Sequence, residues 1–230
     1  MTISPVDILR PIIPLPRLRD AATRRAFLDR YIEAFNERTT DLAQQLYSGT
    51  LSVDAWQLAM RSELKSLHVN ALVISRGGEW RAISQSEWGR LGAHLRGQYN
   101  YLHRYARAVQ ENALNALSGG KAYSEKYLAM RARLYGGNAR ASFYRGMAMG
   151  LLPQVPGDGQ TQCLTNCKCE LRFEEGDVPG LLLVYWETRP AEHCDDCLQL
   201  EKEWNPYELW MPVGMSQEWA TWLPRIQVVT

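Results

Sequence analysis

The sequence predicts an α+β protein: a mostly α-helical N-terminal region, then a small β-hairpin module and a Trp/Pro-rich C-terminal tail. Three observations carry that reading. Apolar residues recur at helical spacing from Asp20 to about Gly150. A breaker cluster of Pro153, Pro156, Gly157, Asp158 and Gly159 then ends that texture. Beyond it the period drops to two, with Cys169, Leu171 and Phe173 alternating with Lys168, Glu170 and Arg172. The expected division is an extended arm at 1–19, a helical domain at 20–152, the hairpin module at 153–210 and a tail at 211–230.

Taken in order, the arm holds Pro5, Pro11, Pro14 and Pro16 among Ile and Leu, which removes donors and favours extended chain. Its apolar residues need cover, either on their own core or on a neighbouring subunit. Phe27, Leu28, Tyr31, Ile32 and Phe35 then share one helical face, continued by Leu42 and Leu46, with Gly49 as a stop. Ser52 is placed to cap a second helix with Trp56, Met60, Leu64, Leu67 and Ala71 inward, ended by Gly77-Gly78. Ser84-Gln-Ser-Glu87 is a capping-box pattern. The helix it opens is expected to run through Leu91, Leu95, Leu102, Tyr105 and Val109 to Leu117. Ser124 is expected to cap a fourth helix, Gly136-Gly137 to interrupt it, and a last helix to reach about Gly150. After the breakers, Glu175 to Gly180 reads as a turn and Leu181 to Trp186 as a second strand. From about Trp204 onward, Trp204, Trp210, Trp219 and Trp222 need cover, on the chain's own helices or on a partner.

With 230 residues, 46% of them apolar and 22% charged, the chain is long enough to bury a sizeable core. No apolar run approaches the roughly 18 residues of a membrane span, and the N-terminus lacks the basic and apolar regions of a signal peptide. A reducing cytoplasm is the expected compartment of synthesis, with no membrane partner. Charge is split along the chain. Residues 1–150 carry 21 Lys+Arg against 12 Asp+Glu, a net of +9; residues 151–230 carry 5 against 13, a net of −8. Such halves either face different partners or attract one another.

All five cysteines fall between Cys163 and Cys197, as Cys163-Leu-Thr-Asn-Cys167-Lys-Cys169 and His193-Cys194-Asp-Asp-Cys197. Two thiolates at C-x₂-C spacing can grip one metal from a tight knuckle, and a hairpin returns its ends to one place. The two groups therefore become neighbours. Soft sulfur ligands in tetrahedral geometry select zinc, and four cysteines close the site, which makes it structural. Cys194 and Cys197 are the firmest ligands, with Cys163 and Cys167 as the opposing pair. Cys169 is either a buried core residue or the rival of Cys163, and His193 is an alternate beside a ligand. The module is thus expected to be a zinc-stapled hairpin.

No catalytic residues are expected. His68, His94 and His103 stand at no recognisable metal or catalytic spacing, and no P-loop, G-x-G-x-x-G or G-x-S-x-G pattern occurs. The chain is therefore read as a non-enzyme. Arg90, Arg96, Arg104, Arg107, Arg131, Arg133, Arg140 and Arg145, interleaved with tyrosines, are either helix surface or a face for phosphates and bases. A nucleic-acid-binding zinc protein is the alternative function.

The Asn166-Cys167-Lys-Cys169 step resembles the Asn-Cys-Arg-Cys step of bacteriophage head morphogenesis proteins, the phage Mu F-like and SPP1-like minor capsid family. His193-Cys-Asp-Asp-Cys197, following an apolar strand, is similar to that family's later Cys-x-x-Cys step. The order Leu46-Tyr-Ser-Gly49, Trp56, Gly77-Gly78, Ser86-Glu-Trp-Gly89, Gln98-Tyr-Asn-Tyr101, Arg131-Ala-Arg-Leu-Tyr135 also looks like such sequences, so the resemblance spans roughly residues 40–210. Cys163 stands about where the family often has a His, one residue further off, which leaves the fourth ligand open. The resemblance implies a minor structural protein acting in head assembly near the portal or capsid interior. It implies a portal or major capsid partner and a place in the virion after assembly in the host cytoplasm; a homo-oligomer and contact with packaged DNA stay open.

Overall fold

The axis of the fold is a helix whose second half is buried on every side. The computed structural model describes residues 21–164 and 167–211. It contains α1 (Ala21–Tyr47), α2 (Val53–Ser75), α3 (Gln85–Leu117), α4 (Glu125–Gly137) and α5 (Ala139–Met147), with a 3₁₀ turn at Trp80–Ala82. Then come β1 (Glu170–Glu175), β2 (Leu181–Glu187), α6 (Asp195–Glu203) and β3 (Tyr207–Trp210). This is an α+β architecture. The arm at 1–19 and Trp219 and Trp222 of the tail lie outside the described residues.

Every residue of α2 from 67 to 75 is buried, because α1, α3 and α5 all pack on it. Its polar members there find partners inside. Asn70 Nδ2 donates to Tyr31 Oη at 2.9 Å, and Arg24 donates to the Ser75 carbonyl at 3.0 Å. Arg76, just past the helix, pairs with Glu87. Three serines open helices as expected. The Ser52, Ser84 and Ser124 hydroxyls accept from the amides of Ala55, Glu87 and Tyr127, and Ser84 and Glu87 complete both halves of the capping box.

Helix α3 runs to Leu117 as expected, though Leu117 itself is 86% exposed. One helix expectation shifts. Gly136 and Gly137 sit inside α4 rather than breaking it, and the break falls at Asn138. The reason is packing: a Cβ at Gly136 would lie 2.7 Å from Asn36 Oδ1 and 3.2 Å from Phe35, so glycine lets α1 and α4 close.

The hairpin is the first part of a three-stranded antiparallel sheet in the order β1-β2-β3. Glu170 pairs with Glu187 and Phe173 with Val184; Leu182 pairs with Leu209. Leu182, Val184 and Trp186 face inward, and one continuous core joins them to Phe35, Met60 and Phe143 of the helices. Trp204 is buried between Trp186 at 5.5 Å and Tyr207 at 4.6 Å, so the sheet's own aromatics give it cover. Trp210, by contrast, is 59% exposed. No helix among the described residues is long and apolar enough to cross a membrane.

Candidate metal centre

The sheet register explains why sequence-distant cysteines meet. Cys169 immediately precedes β1, and β2 runs back antiparallel to place its end beside it. The chain then turns through His193 into α6, with Cys194 as its N-cap and Cys197 in its first turn. Cys194 makes no capping bond with its side chain, because its sulfur is turned instead toward Cys163 and Cys197.

All five thiols are free. Sγ–Sγ distances are 3.5 Å for Cys163–Cys197, 3.7 Å for Cys167–Cys197, 3.5 Å for Cys163–Cys194 and 3.4 Å for Cys194–Cys197. Cys163, Cys167 and Cys197 lie within 4.8 Å of one another. The four sulfurs thus form two triangles sharing the Cys163–Cys197 edge. A disulfide needs about 2.05 Å, far shorter than any of these. A tetrahedral ion with bonds of about 2.3 Å to sulfur sets its ligands about 3.8 Å apart, close to these four distances. The donor set therefore fits a thiolate-bound metal.

The surrounding groups divide the sulfurs. The Cys197 amide is directed at the Cys194 sulfur without closing a capping bond, and the Cys169 amide at that of Cys167. Burial works against a charge on Cys194, but the Cys197 amide and thiol outweigh it and hold Cys194 below the ordinary thiol range. The other sulfurs resist charge. The Cys169 thiol, then burial, pushes Cys167 up; burial, then the thiols of Cys194 and Cys163, pushes Cys197 up. Burial likewise raises Cys163. A divalent cation reverses this balance, since a coordinating thiol is deprotonated outright.

Cys169 and His193 take a different place. Cys169 is wholly buried, in phase with Leu171, and its sulfur touches the Cys167 and Cys197 thiols. It also lies 3.4 Å from His193 Nδ1. His193 Nε2 meets the Arg189 carbonyl, so that nitrogen carries the proton and Nδ1 accepts toward Cys169. The His193 ring is thereby committed at both nitrogens. Two supports escaped the sequence pattern. Asp196 accepts from the Gln162 amide at 2.8 Å, tying α6 to the Cys163 loop, and Thr161 Oγ1 lies 3.3 Å from the Cys163 sulfur. Asp196 occupies an x of C-x₂-C, where any residue satisfies the spacing, so nothing marks it.

No family model, curated protein or solved structure matches this chain.

The remaining histidines are mixed. His103 is at the surface near Gln57, at 3.4 Å. His68 is buried with Nδ1 2.8 Å from Ser142 Oγ, and its ring meets that of His94 at 4.9 Å. Burial, then His94, lowers its pKa to about 3. Such an imidazole is a weak base, far from the neutral range that proton transfer favours. The arginines also divide. Arg133 and Arg140 join Lys126 and Lys168 along a groove of about 560 Å³ beside α1 and α4. Arg131 instead packs over Tyr105 at 5.3 Å, and Arg145 pairs with Asp158 at 3.4 Å.

Proposed function

We propose that this chain is a zinc-braced structural protein of a phage-type particle, acting in head assembly near the portal or capsid interior. The observation that carries the brace is the four-sulfur cluster, four of whose Sγ–Sγ distances are 3.4–3.7 Å. Cys163, Cys167, Cys194 and Cys197 would hold Zn²⁺, with Cys169 and His193 beside it. A bound ion would supply a cross-link between the 161–169 loop and α6. Four thiolates leave no open position for a substrate, so the role is structural. One zinc per chain by metal analysis, lost in a Cys194→Ser/Cys197→Ser variant, is expected; full thiol titration in metal-free, folded protein would sink the brace.

The assembly role rests on the resemblance of the Asn166-Cys167-Lys-Cys169 and His193-Cys-Asp-Asp-Cys197 steps to the phage minor capsid family. The opposed charge of the two halves suits a protein that joins different surfaces. Co-purification with portal or major capsid protein, and genes for these beside its own, are the expected results. A chain absent from purified particles would end this reading.

A second reading, binding of DNA, has one observation in its favour. Lys126, Arg133, Arg140 and Lys168 share a groove whose lining holds no carboxylate. Arg140 is partly engaged, 2.9 Å from Asp29. Binding that weakens steeply with salt and is lost in Arg133→Gln/Lys168→Gln supports it. Affinity indifferent to salt argues against it.

A further inference from the structure

A cavity of about 290 Å³ opens on a face lined by α3, α5 and the turn after α5. Leu72, Leu91 and Leu152 give it apolar walls, while Arg90 and Arg145 bring two guanidinium groups to it. The acids nearby are already committed. Glu87 meets Arg76 through one oxygen, and the Ser84 amide and hydroxyl through the other. Asp158 accepts from the Val155 amide at 2.9 Å, the Gln160 amide at 3.0 Å and Gln160 Nε2 at 2.9 Å. Arg145 reaches it only at 3.4 Å.

Arg90 donates to the Met149 carbonyl at 3.0 Å and, among the described residues, pairs with no carboxylate. Its position is fixed by Gly150, which has φ +73 and lies so close that a Cβ there would be 2.7 Å from Arg90 Nε. A guanidinium carries five N–H donors, so most of those on Arg90 and Arg145 remain to be used. His94 on the lining also has a buried Nε2 without a partner among the described residues. Two arginines with unused donors beside an apolar recess are the chemistry of an organic anion site.

We propose that this cavity binds a small organic anion, a carboxylate on an apolar body. Arg90 and Arg145 hold the carboxylate, and Leu72, Leu91 and Leu152 cover the body. The site is separate from the thiol cluster and independent of the assembly role.

The test titrates the full-length protein with benzoate, benzamide and inorganic phosphate, read by calorimetry and by amide NMR shifts at Gly146 and Gly150. Benzoate is expected to saturate and to move those amides. Arg90→Gln and Arg145→Gln each weaken it about tenfold or more, as loss of a charge-assisted hydrogen bond requires. Benzamide, which keeps the shape without the charge, binds at least about tenfold more weakly by the same argument. Equal binding of benzamide or of phosphate, an unchanged Kd in Arg90→Gln, or no saturable binding of benzoate overturns the proposal. Should the arginine variants misfold, Ala93→Trp on the cavity lining keeps both cations, and benzoate binding that survives it also overturns the proposal.

Discussion

The helical body and the cysteine-bearing end are stabilised in different ways. In the body, α2 buries a continuous stretch from residue 67 to 75 beneath three other helices. At the other end the strands have six, seven and four residues, and only alternate side chains of β2 point inward. The outer face there is charged, with Arg172 between Glu174 and Glu187 and over the Tyr185 ring. Exposed pairs of that kind contribute little. A three-stranded sheet this small needs a packed face and further support. Trp186 and Trp204 supply the face, and the sulfur cluster sits where the loops would otherwise part. Core volume holds one region, and the proposed cross-link would act where core volume is short.

Cys197→Ser breaks this comparison most strongly. It leaves a buried hydroxyl among sulfurs and removes a proposed ligand, and a structural metal held there would contribute folding free energy directly. Amide exchange at Leu182, Val184 and Trp186 should rise by orders of magnitude while that of α2 is retained. Uniform loss of protection over both regions would show that they unfold as one unit and that the contrast is false. Leu64→Ala comes next, at about 2–5 kcal/mol for a fully buried leucine. Denaturant unfolding should show that cost with zinc content unchanged. Loss of metal in this variant would mean that the two regions are energetically coupled.

The same contrast governs what the sequence discloses. Ser52, Ser84 and Ser124 could be placed because a cap and its amide lie three residues apart. The meeting of Cys194 with Cys197, whose sulfurs lie 3.4 Å apart, is likewise local. Helix α6 was hidden: its nine residues bury only Cys197 and Leu200, so no apolar stripe forms. Strand β3 was hidden because it has four residues, follows Pro206, and turns only Leu209 inward as a buried residue. The His68–Ser142 pair joins residues 74 apart, and the meeting of Arg90 with Arg145 depends on how two helices pack. Neither leaves a periodic trace.

A pH series gives a smaller effect. Burial, then His94, lowers the His68 pKa to about 3, whereas the unfolded chain binds that proton near 6.5. Between those values the unfolded state carries more protons, so stability falls as pH drops from 6.5 toward 3. The slope from one histidine approaches about 1.4 kcal/mol per pH unit. His94 is also lowered, by burial and then by Arg145, and adds in the same direction. Urea unfolding between about pH 7 and 5, above most carboxylate titration, should show a shallower slope in His68→Gln. Equal slopes would mean that His68 charges as readily folded as unfolded.

Two N-caps give the finest comparison. Ser84 is a complete capping box in the body, and Ser84→Ala should cost about 1 kcal/mol, confined to α3. Cys194 is also an N-cap, yet its sulfur caps nothing and faces the other thiols. Serine is the better cap, so in chelator Cys194→Ser should stabilise α6 by a few tenths of a kcal/mol up to about 1. With zinc present the sign should reverse, because a ligand is lost. Thermal unfolding of the same variant in chelator and in zinc separates these outcomes. A gain under both conditions would mean that Cys194 holds no metal; a loss under both would place its value in packing.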